Sequence, residues 1–343
     1  MKRKEQFRRL LLGWYDENKR DLPWRHTNEP YLIWVCEIMA QQTRISFLLD
    51  YYNRFIQQFP TVQSLAEAEE AAVLKAWEGL GYYSRARNLR KAARKVMSNF
   101  GGVLPKTKKE LLSLPGIGEY TAGAILSIAY GIPVSAVDGN VLRVFARLEN
   151  SNADISLPQT KQAVISLVEA VIPKERAGCF TQALMELGAL VCIPKNPDCV
   201  HCPVFELCGA FQAGTQHELP VKTAKTPQKP IDKTILLIQN HKGEILMRQR
   251  TENLLLGLWE FYMTDGFMNE AEVSAHLGSF GFPVQEIKPL GSAKHVFTHI
   301  IWQMHGYFCK TAKQNPPHDY RWVGTDELKK LAIPAAIKFY MPE

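Results

Sequence analysis

The stretch LPGIGEYTAGAI, residues 114–125, sets two glycines two positions apart at the mouth of a helical pattern. Backbone amides presented that way hold phosphate, and the fold turns on whose phosphate it is. A dinucleotide site needs a strand before the glycines and a third glycine three residues after the second. Here the helical run KTKKELLS, 106–113, comes before, and Thr121 stands where that glycine belongs. No Gly-Lys-Ser/Thr ending for a nucleoside triphosphate loop follows either. What remains over about residues 108–125 is helix, Pro-Gly-x-Gly turn, helix. Gly116 and Gly118 permit a tight reversal, and the second helix turns its free amides toward an anion. A plain turn between packed helices is the competing reading of this stretch taken alone.

Outward from this turn, residues 1–211 read as an all-α domain. EPYLIWVCEIMAQQT, 29–43, places Tyr31, Trp34, Val35 and Ile38 at i, i+3, i+4, i+7 spacing, with Pro30 as the first helical residue. GYYSRARNLRKAARKVMSNFGG, 81–102, carries a basic helix after Ser84 that ends on a glycine pair. Its Arg85, Arg87, Arg90 and Arg94 form either a phosphate-binding face or a solvated one. Further helices are predicted at about 118–130, 139–149, 158–171 and 175–191. Residues 212–230, QAGTQHELPVKTAKTPQKP, have three prolines and hardly any apolar content, as a linker does. From 231 the texture changes to a small α+β domain. KTILLIQNHKGEILMRQR, 233–250, reads as a hairpin about NHKG, HVFTHIIWQMHGYFC, 295–309, as one alternating strand, and MNEAEVSAHLGSFG and GTDELKKL as helices.

The chain of 343 residues is too long for one ordinary core, so two domains are expected. Residues 231–343 carry 12 Lys/Arg against 12 Asp/Glu, so the net charge of +7 resides in residues 1–230, which suits a polyanionic partner. The amino terminus, MKRKEQFRRLLLGWYDENKR, reads as an amphipathic helix and not as a signal peptide. No stretch has the length of a membrane span, and a monomeric protein of the cytoplasm, or of a bacterial nucleoid, is expected. Seven cysteines without a secretion signal point to a reducing compartment, where clustered thiols bind metal.

Four of them, Cys192, Cys199, Cys202 and Cys208, stand within CIPKNPDCVHCPVFELC, 192–208, as C-x6-C-x2-C-x5-C. Such a set closes a tetrahedral zinc site or holds a cubane cluster. Zinc ribbons pair two well-separated C-x2-C knuckles, and the single knuckle here favours iron–sulfur, read as a clip on an irregular loop. Lys195 in that loop is either a phosphate contact or a solvated lysine. Cys36, Cys179 and Cys309 are scattered and read as small buried hydrophobes.

The helix-hairpin-helix turn, followed by VDGN at 137–140 and then the four cysteines, resembles the endonuclease III superfamily of DNA repair glycosylases. In lyase-active members of that superfamily a lysine follows Gly-x-Gly-x and attacks the sugar as an amine. Here that residue is Tyr120, so the Schiff-base route is closed at this position. Glu37 in WVCEIMAQQT, with GLGYYSRARNL at 79–89 and VDGNVLRV at 137–144, is similar to the adenine DNA glycosylase family over about residues 5–210, and more loosely to the end. The resemblance implies a monofunctional glycosylase that removes adenine opposite 8-oxoguanine or guanine in duplex DNA and holds one [4Fe–4S] cluster. Glu37 is then the acid at adenine N7 and Asp138 the carboxylate at the sugar, with Tyr120 and Asn140 orienting the pair. Trp24, Arg25, Gln182 and Glu186 line the adenine pocket, Gln42 and Tyr82 wedge into the duplex, and Gly116, Gly118 and Thr121 meet the strand.

Duller readings stand beside these. Most glutamates are exposed, Asp138 precedes Gly-Asn and a helix as an N-cap would, and Tyr120 and Trp24 could simply pack. A thymine- or oxidised-pyrimidine glycosylase on the same scaffold is the nearest rival, against which Glu37 argues, because a pyrimidine has no N7 to protonate. A non-catalytic lesion-binding module and a zinc-dependent DNA-binding protein are the others. The carboxy-terminal domain resembles a Nudix fold beginning at GLWEFY, 257–262, without the Arg-Glu…Glu-Glu metal-binding helix that a pyrophosphatase needs. The family uses this domain to sense 8-oxoguanine, and the matching loop here is Phe297, Thr298 and His299, with threonine where many members have serine.

Overall fold

The basic amino-terminal run forms α1 (Lys2–Asn18), whose Phe7, Leu11 and Tyr15 face inward at four-residue spacing. In the computed structural model, residues 2–223, 227–313 and 315–342 are described. The backbone gathers into two compact units, Met1–Glu67 with Asn88–Ala224, and Ala68–Arg87 with Lys225–Glu343. A single cut near residue 211 therefore does not separate them: an excursion of twenty residues from the helical part packs with the carboxy-terminal part. Within that unit Lys75 Nζ donates to the carbonyl of Leu331 at 2.9 Å, and Arg87 to that of Leu256 at 2.5 Å.

In the first unit α2 (Pro30–Ala40) begins at Pro30, with Glu29 as its extended cap residue. Eight of its eleven residues are buried, Glu37 among them, so it is a central helix and not a surface one with a single apolar stripe. It leads to α3 (Ile45–Gln58) and α4 (Val62–Glu67). The excursion holds α5 (Glu70–Ala76), and α6 (Ser84–Phe100) begins there and returns to the first unit. α7 (Lys108–Leu112) and α8 (Glu119–Ala124) are the two arms of the hairpin, and α8 continues as a π-helical turn, Ile125–Ala129. α9 (Gly139–Leu148), α10 (Pro158–Val171), α11 (Ala177–Leu190) and α12 (Gly209–Ala213) complete the unit. Phe7, Phe145 and Phe180 meet edge to face at its centre, at about 6 Å between rings.

Gly116 and Gly118 differ in what they do. Gly116 has φ +79°, and a Cβ there would lie 2.8 Å from that of Asn88, so the turn requires glycine twice over. Gly118 is extended at φ −100°, with open space where a Cβ would stand. Only the first glycine permits the reversal.

The second unit is built on a six-stranded sheet of β1 (Lys229–Gln239), β2 (Ile245–Gln249), β3 (Trp259–Asp265), β4 (Val284–Val296), β5 (Ile300–Thr311) and β6 (Arg321–Val323), in the order β4-β5-β1-β3-β2-β6. β1 runs parallel to β5, and the other pairings are antiparallel. Both faces are covered, which is why the centre of β1 reads as an uninterrupted apolar run. Ile235 and Leu237 enter one core with Phe261 and Ile337, and Leu236 and Ile238 the other, under α13 (Glu270–Ser279). A one-turn helix, α14 (Thr325–Leu328), follows β6.

Two expectations are corrected. HVFTHIIWQMHGYFC is not one strand: it holds the end of β4, a bend at Phe297–Thr298–His299, and most of β5, paired with register Val296↔Ile301. The alternation survives the reversal because half-buried and exposed residues alternate at the end of β4, and buried residues alternate with more open ones at the start of β5. The expected 212–230 linker is also shorter. α12 extends to Ala213, Leu219 is buried, Val221 accepts from the amide of Ile155 at 3.0 Å, and β1 opens at Lys229. Polar, proline-containing sequence lacks a core of its own but still has backbone groups to pair. Residues 224–226 of that linker lie outside the described ones. No helix among the described residues is long and apolar enough to cross a membrane.

Candidate active site

A cavity of about 550 Å³ opens in the first unit between α2, α8, α9 and α11. Glu37, Tyr120, Asp138 and Asn140 all line it. Glu37 is 8% exposed and accepts from the Tyr120 hydroxyl at 2.6 Å. Burial pushes its carboxyl up to about 7. The negative charge of Asp138 adds to the rise, and the Tyr120 hydrogen bond and the charge of Arg25 offset only part of it. Glu37 is thus a carboxylic acid poised near neutrality, the state a proton donor needs.

Asp138 is the N-cap of α9, as its bland reading had it, and it also faces the cavity. Oδ1 accepts from the Val141 amide at 2.8 Å and Oδ2 from Asn140 Nδ2 at 2.9 Å. Burial raises its pKa, and those two donors hold the rise down. Asn140 is oriented in turn: Arg143 Nη2 donates to its Oδ1 at 2.9 Å, so its amide hydrogens face Asp138. The same guanidinium donates to the carbonyls of Gly188 and Cys192, both at 2.7 Å. At Gly188 a Cβ would lie 2.6 Å from that of Asn140, so glycine is what lets α11 approach α9 here. Arg143 reads in the sequence as an ordinary basic helix residue, and only its burial marks it.

The same cavity carries the residues expected for a base pocket. Trp24 is buried edge-on against Tyr52, with 5.0 Å between rings. Arg25, Gln182 and Glu186 also line the cavity. All four acceptor positions of Glu186 are filled: Oε1 by the Arg20 amide and Nε, Oε2 by Arg20 Nη2 and Arg25 Nη2, at 2.6–2.9 Å. Burial alone would raise the Glu186 pKa, but the Arg20 hydrogen bonds and the charges of both arginines hold it below the usual range. Glu186 therefore acts on the cavity through the arginines it holds. Arg20 and Tyr15 were missed in the sequence: one sits in a polar loop, and the other has the spacing of a core residue.

The expected DNA contacts separate. Gln42 and Tyr82 are exposed, and both have positive φ, 58° and 47°, strain of the kind kept at functional positions. Thr121 offers no side chain to a strand: it is buried and its hydroxyl accepts from Gln41 Nε2 at 3.3 Å, which leaves its backbone amide, in the first turn of α8, as the group that can meet a phosphate. The arginines of α6 do not share one face, Arg94 being exposed and Arg85 and Arg87 half-buried. Arg85 lies over the rings of Trp77 and Tyr82 and donates to the carbonyls of Leu80 and Gly81, and burial lowers its pKa to about 10. Arg87 and Arg94 donate to the carbonyls of Leu256 and Ala66, and Arg90 is buried. Arg85 and Arg87 tie loops to the helix, and Arg94 ties α4 to it. In the second unit Phe297 packs its ring on Trp302, while Thr298 and His299 are exposed at the hairpin tip. The Thr298 hydroxyl is 3.1 Å from that of Tyr82.

The four clustered cysteines line one small cavity, beside buried Arg147. Arg147 donates to Cys192 Sγ at 3.2 Å and to the carbonyls of Ile193, Pro194 and Leu219. Burial, with the neighbouring thiols, pushes Cys202 up to about 12. No group of three or more His, Cys, Asp or Glu among the described residues is placed to hold a single metal ion. Lys195 is exposed. Cys36 and Cys309 are buried as expected, and Cys179 only partly.

Residues 35–173 match the HhH-GPD superfamily of base excision DNA repair proteins, and residues 234–342 match a NUDIX domain. A thermostable thymine-DNA glycosylase superposes with a TM-score of 0.57 at 29% identity, covering 62% of this chain and 98% of its own. An endonuclease III solved in a non-covalent complex with DNA shares the fold, with a TM-score of 0.53 at 24% identity, covering 62% and 98%. The adenine DNA glycosylase of Homo sapiens is 35% identical over 97% of this chain and 72% of its own length. That of Buchnera aphidicola subsp. Baizongia pistaciae is 32% identical over 86% and 83%. A helix-hairpin-helix DNA glycosylase with a Nudix-like second domain, this chain belongs to the adenine DNA glycosylase family.

Proposed function

We propose that this enzyme excises adenine mispaired with 8-oxoguanine, or with guanine, by acid-assisted hydrolysis of the N-glycosidic bond of a flipped nucleotide. The observation that carries the reading is Glu37, buried and half protonated near neutrality, on one cavity with Asp138. Glu37 gives its proton to adenine N7. The C1′–N9 bond then breaks with its electron pair leaving on the base, so adenine departs neutral. The Asp138 carboxylate faces the oxocarbenium left on the sugar, bonding to it transiently or by charge alone. The Glu37 carboxylate next takes a proton from water, whose oxygen adds to C1′ and leaves an abasic site. Tyr120 carries no amine, so the strand is not cut by a Schiff-base route here.

Gln42 and Tyr82 fill the gap left by the flipped base, and Gly116 and Gly118 bring the hairpin amides to a phosphate. Thr298 with His299 and Phe297, at the β4–β5 tip, reads the 8-oxoguanine. Cys192, Cys199, Cys202 and Cys208 would hold one [4Fe–4S] cluster as thiolates, and the cluster would clip the 192–208 loop. Supporting this are the soft donor set, the single cavity the thiols share, and the Arg147 N–H on Cys192 Sγ, which offsets anionic charge. The test is free-base release from duplexes with A opposite 8-oxoguanine, A opposite guanine, and T opposite guanine. Release from the two adenine duplexes alone is expected, and thymine release instead would overturn the assignment. Purified protein should show the broad visible absorption of the cluster, and Cys199→Ser should lose it.

A further inference from the structure

Gln182 enters the cavity wall from α11, and an amide presents a donor end and an acceptor end. Which end faces the cavity is settled by Tyr15 of α1. Arg25 Nη1 donates to the Tyr15 hydroxyl at 2.7 Å. A guanidinium accepts nothing, so the phenol oxygen must be the acceptor there, and its single proton goes to Gln182 Oε1 at 2.5 Å. Arg25 is itself fixed, because its Nη2 lies on Glu186 at 2.6 Å and Arg20 fills the rest of that carboxylate. Donation thus runs outward from the Arg25 guanidinium, to a saturated carboxylate on one side and through a phenol to an amide on the other. Burial raises the Tyr15 pKa, so the phenol keeps the proton this chain needs.

We propose that Tyr15 is a positioning residue that holds the Gln182 amide with Nε2 toward the cavity, so that this wall offers a donor to the base and not an acceptor. A ring nitrogen with a free lone pair is accepted on the edge that meets Gln182, and a ring N–H on that edge meets donor with donor. The inference rests on the adenine reading, since adenine carries a free lone pair at every unsubstituted ring nitrogen.

The experiment compares full-length wild type, Tyr15→Phe, Gln182→Ala, the double variant and Gln182→Glu in single-turnover release of adenine opposite 8-oxoguanine. Tyr15→Phe should slow release about tenfold, the scale of one lost hydrogen bond. In the Gln182→Ala background the same change should cost nothing more. Gln182→Glu keeps an acceptor for Tyr15 but has no donor, and should be as slow as Gln182→Ala. Equal losses from Tyr15→Phe in both backgrounds, or wild-type release by Gln182→Glu, would overturn the assignment. A readout independent of turnover is the side-chain amide signal of Gln182 in ¹⁵N-labelled protein, expected to move in Tyr15→Phe; an unmoved signal refutes the hold. Should wild type release no adenine at all, the substrate reading fails, while the amide signal still decides what Tyr15 does.

Discussion

Glu37→Gln keeps the side-chain shape and can still accept from Tyr120, and it removes a carboxyl that titrates near neutrality. The native carboxyl lies at about 7 against 4.5 for the free side chain, because burial favours the neutral form. Between those two values the native state binds the proton and the unfolded state has lost it. Stability from this group is therefore complete below about 4.5 and is lost as the pH rises toward 7. The gap of about 2.5 units corresponds to about 3 kcal/mol. Wild type should lose about 2.5 kcal/mol relative to Glu37→Gln between roughly pH 5 and pH 8.5, measured by urea unfolding of both proteins at each pH. Single-turnover base release by wild type should fall about tenfold per unit above pH 7, since only the protonated acid donates. Glu37→Gln should bind the mispaired duplex and release no adenine. A stability difference independent of pH would show that Glu37 does not titrate in this window, and near-normal release by the variant would remove it as the acid.

Asp138→Asn keeps the Val141 cap of α9 but loses the charge and turns an NH2 onto the Asn140 amide, so unfolding should cost about 1–2 kcal/mol while base release falls about 10³-fold. A large loss of stability in its place would make Asp138 a cap and nothing more. Gly116→Ala places a Cβ 2.8 Å from Asn88 at φ +79° and should cost about 2 kcal/mol in thermal or urea unfolding, with weaker duplex binding. Gly118→Ala meets open space and should leave stability unchanged.

Much of this protein was legible before folding was considered. The Pro-Gly-x-Gly turn between helices, the cysteine spacing, Glu37 in its apolar helix and the change of texture after the linker carry local information, and local rules read them. The arginines of α6 show where such reading stops. Four basic residues on one helix look like a charged face, yet Arg87 and Arg94 are spent on main-chain carbonyls of residues distant in sequence. The two readings of Asp138 could not be separated by sequence because they are compatible: one carboxylate caps α9 while facing the cavity.

What the chain by itself determined is the set of groups: two carboxyls, a phenol in place of an amine, four thiols and a hairpin with its glycine. Only tertiary structure decided their states. The Glu37 acidity comes first from its burial and then from the charge of Asp138 at the head of α9, set against the Tyr120 hydrogen bond and the charge of Arg25, none of which is encoded in the residues flanking it. The silence of Glu186, and the direction in which Gln182 faces, come from hydrogen bonds that link α11 to α1 and its following loop, more than 160 residues away. Residue types fix which hydrogen bonds and charges can exist; burial and long-range contact select which of them do, and at what pKa.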